Sequence, residues 1–361
     1  MDIFSKKVYT KNMLNDYVTI GEKVGMKPTI KDVARKANVS VATVSRILNG
    51  LDGYSEETKV KVLSVVEELG YQRNAIARGL VMKNTSTIGV LLPDVATNFY
   101  AAILNGIEDT AHQNDYSVVV CNTGVNGVRA LDYIKVLGER QVDGIIIISI
   151  NITEELYKAI ELLKIPYILV STMSFRFQMP YVKVDDQQAA YSATQYLIKK
   201  GHKDIAMISG DKDKTDPIAG KPRVNGYIQA LQDYGLKVNS KLIKYGDFSY
   251  ESGIKCMEEL LEETEKFTAV FAASDEMAVG ALSVAYQRKI IIPDELSIIG
   301  YDNTKVAEMA IPPLTTVAQP LYEMGKKAMQ KILKTIETNE KPESTILPHS
   351  IVERSTVKQL T

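Results

Sequence analysis

Residues 29–50 read TIKDVARKANVSVATVSRILNG, and the spacing of their capping and apolar residues decides the fold of this part of the chain. Thr29 stands where a helix would begin. Asp32 follows three residues on, the arrangement in which two side chains satisfy exposed backbone groups at a helix start. Val33, Ala34 and Ala37 share one helical face, and Asn38-Val39 makes a turn. Ser40 then caps a second helix whose Val44, Ile47 and Leu48 face inward. A third helix is predicted from Ser55 to Leu69, with Val62, Leu63, Val66 and Leu69 inward and Gly70 as the stop. Three short helices around one small core hold the second rigid, which is the architecture of a helix-turn-helix.

Such a helix lies in the DNA major groove with its first turns against base edges. The residues placed there are Val41, Ala42, Ser45 and Arg46. Arg46 can donate twice to a guanine edge, worth about 1–3 kcal/mol of discrimination, while Val41 and Ala42 suit a thymine methyl. Ser40, Thr43 and the helix start can hold phosphates and set register. Thr29, Asn49 and Tyr71 complete the DNA-facing set. The following segment, Asn74 to Leu80, sets Asn74 and Arg78 beside Ala75, Ile76, Ala77 and Leu80. It is too short for a stable lone helix. Paired with a second copy on DNA, it would drive Leu80 into the minor groove as a wedge that kinks the duplex.

Charge agrees with that placement. Residues 27–83 carry ten basic and six acidic side chains, a net +4, against 29 basic and 35 acidic, a net −6, in residues 84–361. Residues 1–26 have no clear period and are expected to be a disordered extension, from an upstream start or as a loose arm.

From Thr87 the rhythm changes. Apolar runs of strand length, among them TIGVLLP, DGIIIIS, PYILVS, DIAMISG, AVFAAS and LSIIGYD, alternate with amphipathic helical stretches. Continuous apolar strands alternating with helices imply parallel sheets covered on both faces. The strands are too many for one sheet, so two similar lobes are expected. Their limits are placed at 86–184 plus 318–342 and at 185–317 plus 343–357. The last helix, Tyr322 to Ile336, would cross back to the first lobe, and a closing strand within 344–357 would end the second. The fold class is therefore α/β: a three-helix head over 27–72, a hinge helix and linker over 73–85, and a two-lobed core over 86–357.

Other chemistry finds little support. Two cysteines, Cys121 and Cys256, make no disulfide framework, and three dispersed histidines no metal cluster; neither a metal nor a cofactor is expected. Asp211, Asp213 and Asp216 resemble a calcium-loop opening, but Asp216 stands where that loop needs glycine and Pro222 where it needs glutamate. There is no phosphate-binding loop and no nucleophile elbow, and Asp185-Asp186 reads as a helix cap, so an enzyme is not expected. No run reaches a membrane span and the start lacks a signal-peptide core, which places the protein in the cytoplasm and speaks against a sugar-binding transport protein.

The head and hinge resemble the lactose repressor/GalR (LacI) family of transcription regulators, and the likeness runs over residues 28–357. It is carried by VATVSR (41–46), ARGL (77–80), TIGVLLPD (87–94), QVDGIII (141–147), SDEMAVG (274–280), IIGYDNT (298–304) and LPH (347–349). Within the family the chain is most similar to the catabolite control proteins of Gram-positive bacteria. The resemblance implies a core like type I periplasmic binding proteins and a homodimer on a pseudo-palindromic operator with a central CG step. It also implies a sugar or phosphosugar effector between the lobes. By position that site would use Asn98, Phe99, Tyr100, Arg223, Phe248, Asp275 and Asp302. The catabolite control proteins further imply serine-phosphorylated HPr as corepressor, on a surface that here would include Tyr322, Glu323, Gln330 and Lys334. Two arginines of that pattern are replaced by Gln330 and Ser350, and Arg223 stands where the subgroup tends to have lysine. Both departures favour a small molecule over the phosphoprotein.

Overall fold

The computed structural model describes residues 28–71, 84–210 and 218–360 (the side chain of Asn126 excepted), in two compact units divided after Lys83. Asn74, Ala77, Arg78 and Leu80 lie outside the described residues, as do residues 1–27 and Asp211, Asp213 and Asp216.

In the first unit, α1 (Ile30–Ala37), α2 (Val41–Leu48) and α3 (Glu56–Glu68) enclose one core. Val33, Ala34, Ala37, Val44, Ile47, Leu48, Val62 and Val65 are its buried members. The Asp32 carboxylate accepts from Thr29 N–H at 2.9 Å and Thr29 Oγ1 at 2.7 Å. The Thr43 N–H donates to Ser40 Oγ at 3.0 Å. The inward face of α3 differs from the sequence expectation. Val65 is buried and Leu63 is exposed, because the seam of α3 against α1 follows 62, 65 and 66.

The second unit has two lobes, each a six-stranded sheet. In lobe 1 the order is β11-β5-β4-β3-β1-β2. Its strands are β1 (Thr87–Leu92), β2 (Ser117–Asn122), β3 (Gly144–Ile148), β4 (Tyr167–Val170), β5 (Tyr181–Val184) and β11 (Thr345–Leu347). One face is covered by α4 (Asn98–Gln113) and α12 (Leu321–Thr338), the other by α5 (Ala130–Glu139) and α6 (Glu154–Leu163). Gly106 and Gly325 lie where α4 and α12 touch backbone to backbone. A Cβ on Gly325 would overlap the Ile103 carbonyl, and one on Gly106 that of Tyr322.

In lobe 2 the order is β12-β10-β9-β8-β6-β7. The strands are β6 (Ile205–Ser209), β7 (Ile243–Tyr245), β8 (Ala269–Ala272), β9 (Ser297–Asp302), β10 (Thr315–Ala318) and β12 (Ser350–Val352). Its helices are α7 (Asp186–Lys199), α8 (Gly220–Asp233), α9 (Tyr250–Glu262), α10 (Asp275–Gln287) and the short α11 (Lys305–Met309).

The closing segment corrects the expected lobe limits. Instead of one strand ending lobe 2, it divides at Pro348-His349. β11 runs parallel to β5 in lobe 1, and β12 runs antiparallel to β10 in lobe 2. Proline lacks the ladder donor, so a strand breaks there. The chain thus crosses between lobes after β5, after β10 and after β11.

Candidate functional site

On the head, the first turns of α2 present Val41, Ala42 and Arg46 outward, with Thr43, Ser45 and Asn49 half-buried, while Val44, Ile47 and Leu48 anchor the other face. Asn49 Nδ2 donates to Ser45 Oγ at 3.3 Å, which ties the C-terminal end of α2 to the same face. Arg46 is exposed but not loose. Its Nε donates to the Asp52 carbonyl at 2.9 Å, and Gly53, at φ 106°, lies beside its guanidinium without a side chain in the way. The two terminal nitrogens make no hydrogen bond among the described residues. Tyr71 is half-buried against the head core.

In the core unit, a buried charge cluster lies at the C-terminal ends of the lobe 2 strands. Arg223, on the first turns of α8, is 4% exposed. Its Nε and Nη2 donate to Asp186 Oδ1 at 3.0 and 2.9 Å, and Nη1 donates to the Ala273 carbonyl at 2.5 Å. The guanidinium stacks 3.8 Å over the Tyr301 ring, with Phe248 at 5.5 Å. Burial alone would lower its pKa; Tyr301, Asp186 and Asp302 outweigh it and the pKa is raised, so Arg223 is a permanent cation.

The Asp185-Asp186 pair, read from sequence as a helix cap, divides its work. Asp185 caps α7 by accepting from Gln188 N–H at 3.0 Å. Asp186 is turned inward and gives its second oxygen to Lys183 Nζ at 3.0 Å. The one signal available was Lys183 itself, a cation inside the apolar strand YVKV. A lysine there needs a buried partner.

Asp302 ends β9, is 4% exposed and accepts from Gln319 Nε2 at 2.7 Å. Gln319 belongs to the second crossover. Burial pushes the Asp302 carboxyl well above its ordinary pKa; Arg223 opposes this, and Asp275 and Glu276 add to it.

Asp275, expected at the effector, has both carboxylate oxygens engaged by the protein itself. It is fully buried. Its Oδ2 accepts from the Thr304 N–H at 2.7 Å and Thr304 Oγ1 at 3.0 Å, and its Oδ1 from Thr316 Oγ1 at 2.6 Å. It braces α10 against the segment after β9 and against β10, with both oxygens engaged.

Burial pushes Asp275 up to about 7, against the hydrogen bonds from Thr316 and Thr304. Between pH 4 and 7 the folded protein therefore holds a proton that the unfolded chain has lost, and stability falls as pH rises through that window. Asp275→Asn is expected to flatten the decline of the unfolding midpoint between about pH 5 and pH 7. Parallel pH profiles for the two proteins would show that Asp275 does not carry it.

Asn98 opens α4 in lobe 1 and is exposed. Phe99 and Tyr100 follow it half-buried, their rings edge to face at 5.1 Å. An open groove of about 780 Å³ lies elsewhere on lobe 1, between Tyr167, Phe175 and Lys341, and none of the expected effector residues lines it.

On α12, Tyr322 OH donates to Asp109 Oδ2 at 3.0 Å, Glu323 pairs with Lys326, and Lys334 pairs with Glu340. Gln330 and Ser350 are both exposed, with no guanidinium at either place.

Comparison with known proteins decides the family. Residues 85–355 match the family described as periplasmic binding proteins and sugar binding domain of LacI family, and residues 29–74 match bacterial regulatory proteins, lacI family. The chain belongs to the LacI family. Catabolite control protein A of Priestia megaterium is 42% identical over 92% of this chain and 100% of its own length. Among solved structures, a complex of the transcriptional regulator CelR with cellobiose is 32% identical, covering 91% of this chain and 99% of its own, at a TM-score of 0.69. The lac repressor dimer bound to operator and an anti-inducer is 27% identical over 92% of this chain and 100% of its own, at 0.82.

The LacI-family frame gives the two units their work: a DNA-binding head and an effector-binding core make a transcription regulator. The relatives named include a transcriptional regulator and a repressor bound to its operator. No described helix is long and apolar enough to cross a membrane, and no metal-binding group of side chains occurs among the described residues.

Proposed function

We propose that this regulator is a homodimeric repressor of carbohydrate genes, released from or driven onto a pseudo-palindromic operator by a sugar-like effector held at Arg223 and Asp302. The observation that carries the reading is how those two residues are anchored. Arg223 is bonded to Asp186, which follows the first crossover, and Asp302 to Gln319 in the second. A ligand that engages both is linked to two of the three crossovers that join the lobes. Its differential affinity for two lobe arrangements then shifts their populations. Phe248 supplies an aromatic face for the apolar side of a sugar ring, and Asn98, Phe99 and Tyr100 would approach from lobe 1.

Dimerisation is supported by large apolar side chains left in the open. Val125 and Val128 are each 76% exposed on lobe 1; on lobe 2, Tyr286 is 86% and Ile311 94% exposed.

On the operator, Thr29, Ser40, Thr43, Asn49, Tyr71 and Asn74 hold the backbone and set register. Val41, Ala42, Ser45 and Arg46 read bases, and Ala77, Arg78 and Leu80 enter the minor groove at the central step. Leu80→Ala is expected to lower operator affinity at least tenfold while leaving affinity for random duplex within about twofold, since only the specific complex gains from a wedge. Equal losses on both DNAs, measured by fluorescence anisotropy at one salt concentration, would remove Leu80 from the central step.

A second reading, answering serine-phosphorylated HPr through Tyr322, Glu323, Gln330 and Lys334, is favoured by the 42% identity to catabolite control protein A. It must do without both arginines. Adding the phosphoprotein to the operator assay separates the two readings, because a corepressor raises affinity with no sugar present.

A further inference from the structure

We propose that Asp186 is a built-in counter-ion that reserves the Arg223 site for an uncharged, hydroxyl-rich effector and turns phosphorylated ligands away. The inference rests on the effector reading above and narrows it from sugar or phosphosugar to neutral sugar.

Two buried cations meet at one carboxylate. Lys183 Nζ lies 3.0 Å from Asp186 Oδ2, and Arg223 Nη2 lies 2.9 Å from Oδ1. The side chains of Lys183, Asp186 and Arg223 are 10%, 7% and 4% exposed. The Tyr301 hydroxyl donates to the same Oδ1 at 3.4 Å. An anion placed between two cations is what a phosphate-binding pocket obtains from its ligand; here the chain supplies that anion itself.

The guanidinium is largely used. Of its five N–H groups, two point to Asp186 and one to the Ala273 carbonyl. The two left over suit hydroxyl acceptors rather than the three oxygens of a phosphate dianion. The rest of the neighbourhood is acidic. Asp302 feels both Asp275 and Glu276, and burial already works against the charge of all three. Glu276 Oε1 is buried and has no hydrogen-bond partner among the described residues. A hydroxyl donor relieves such an acceptor, whereas a phosphate adds a further negative charge beside it.

The test uses full-length protein and two probes, inorganic phosphate and glucose 6-phosphate, each against chloride at matched ionic strength. Thermal unfolding of the wild-type protein is expected to be the same in phosphate and chloride. Asp186→Asn leaves Lys183 and Arg223 without a counter-ion, and is expected to lower the midpoint by about 5 °C or more. Phosphate should restore roughly half of that loss by filling the vacated place. The double variant Lys183→Met/Asp186→Asn keeps one cation and is expected to show little recovery. A purely structural Asp186 would give a destabilised variant with no anion response, and that result overturns the proposal. So does wild-type protein that is stabilised by either probe in a manner lost in Arg223→Ala. Should Asp186→Asn not fold in chloride, refolding in phosphate decides: recovery of folded protein there supports the proposal, and no recovery overturns it. Operator binding by the same wild-type preparation is scored separately, so failure of the regulator reading shows there and not in the anion response.

Discussion

Arg46→Ala is expected to lower operator affinity by about five- to a hundredfold and to relax base preference at one position in each half-site. The turn after α2 sets the geometry. Asp52 and Gly53 bring a carbonyl to the Arg46 Nε, so the side chain is held by its inner nitrogen. Both outer nitrogens are left for an acceptor pair such as guanine N7 and O6. The Nε contact removes rotamer freedom before binding, which cuts the ordering cost on DNA. Arg46→Lys keeps the charge but lacks the fork, and should recover salt-dependent affinity without the base preference. A panel of operators with each half-site position varied checks both outcomes. A loss spread evenly over all sequences would assign Arg46 to a phosphate.

Arg223→Ala should have the largest effect in the core. It removes three charge-assisted hydrogen bonds, the stacking on Tyr301 and the Phe248 contact, and is expected to cost about 2–4 kcal/mol in urea unfolding. Asp186 keeps Lys183, so the variant retains one buried pair and should fold. Its operator affinity without sugar should stay within a few-fold of the wild type, while any change caused by a neutral sugar disappears. Retention of a full sugar response in this variant would move the effector site away from α8.

The two kinds of site differ in how far they could be read from sequence. The head is local. Caps, turn and apolar face fall within about twenty residues, so Thr29, Asp32, Ser40 and the buried Val44, Ile47 and Leu48 follow from spacing alone. Where α3 meets α1 the spacing allows two neighbouring seams, and Val65 rather than Leu63 is buried because tertiary packing chooses between them. The core cluster is not local. Lys183, Asp186, Arg223 and Tyr301 come from four separate elements, and nothing in the order of residues says that one carboxylate will serve two cations. The resemblance implies Asp275 at the effector, but residue order says nothing of which groups bond its oxygens. Thr304 and Thr316, distant in sequence, take both its oxygens. The division of the last segment into β11 and β12 was marked by Pro348, but only the sheet pairing shows that its halves belong to different lobes.

Operator recognition is tested first by anisotropy titration of full-length protein against a palindromic duplex with a central CG step and against a scrambled duplex of the same composition. A complex of two chains per palindrome is expected, bound at least a thousandfold more tightly than the scrambled DNA at physiological salt. Equal, salt-sensitive binding to both duplexes, across a panel of palindromes, would contradict it.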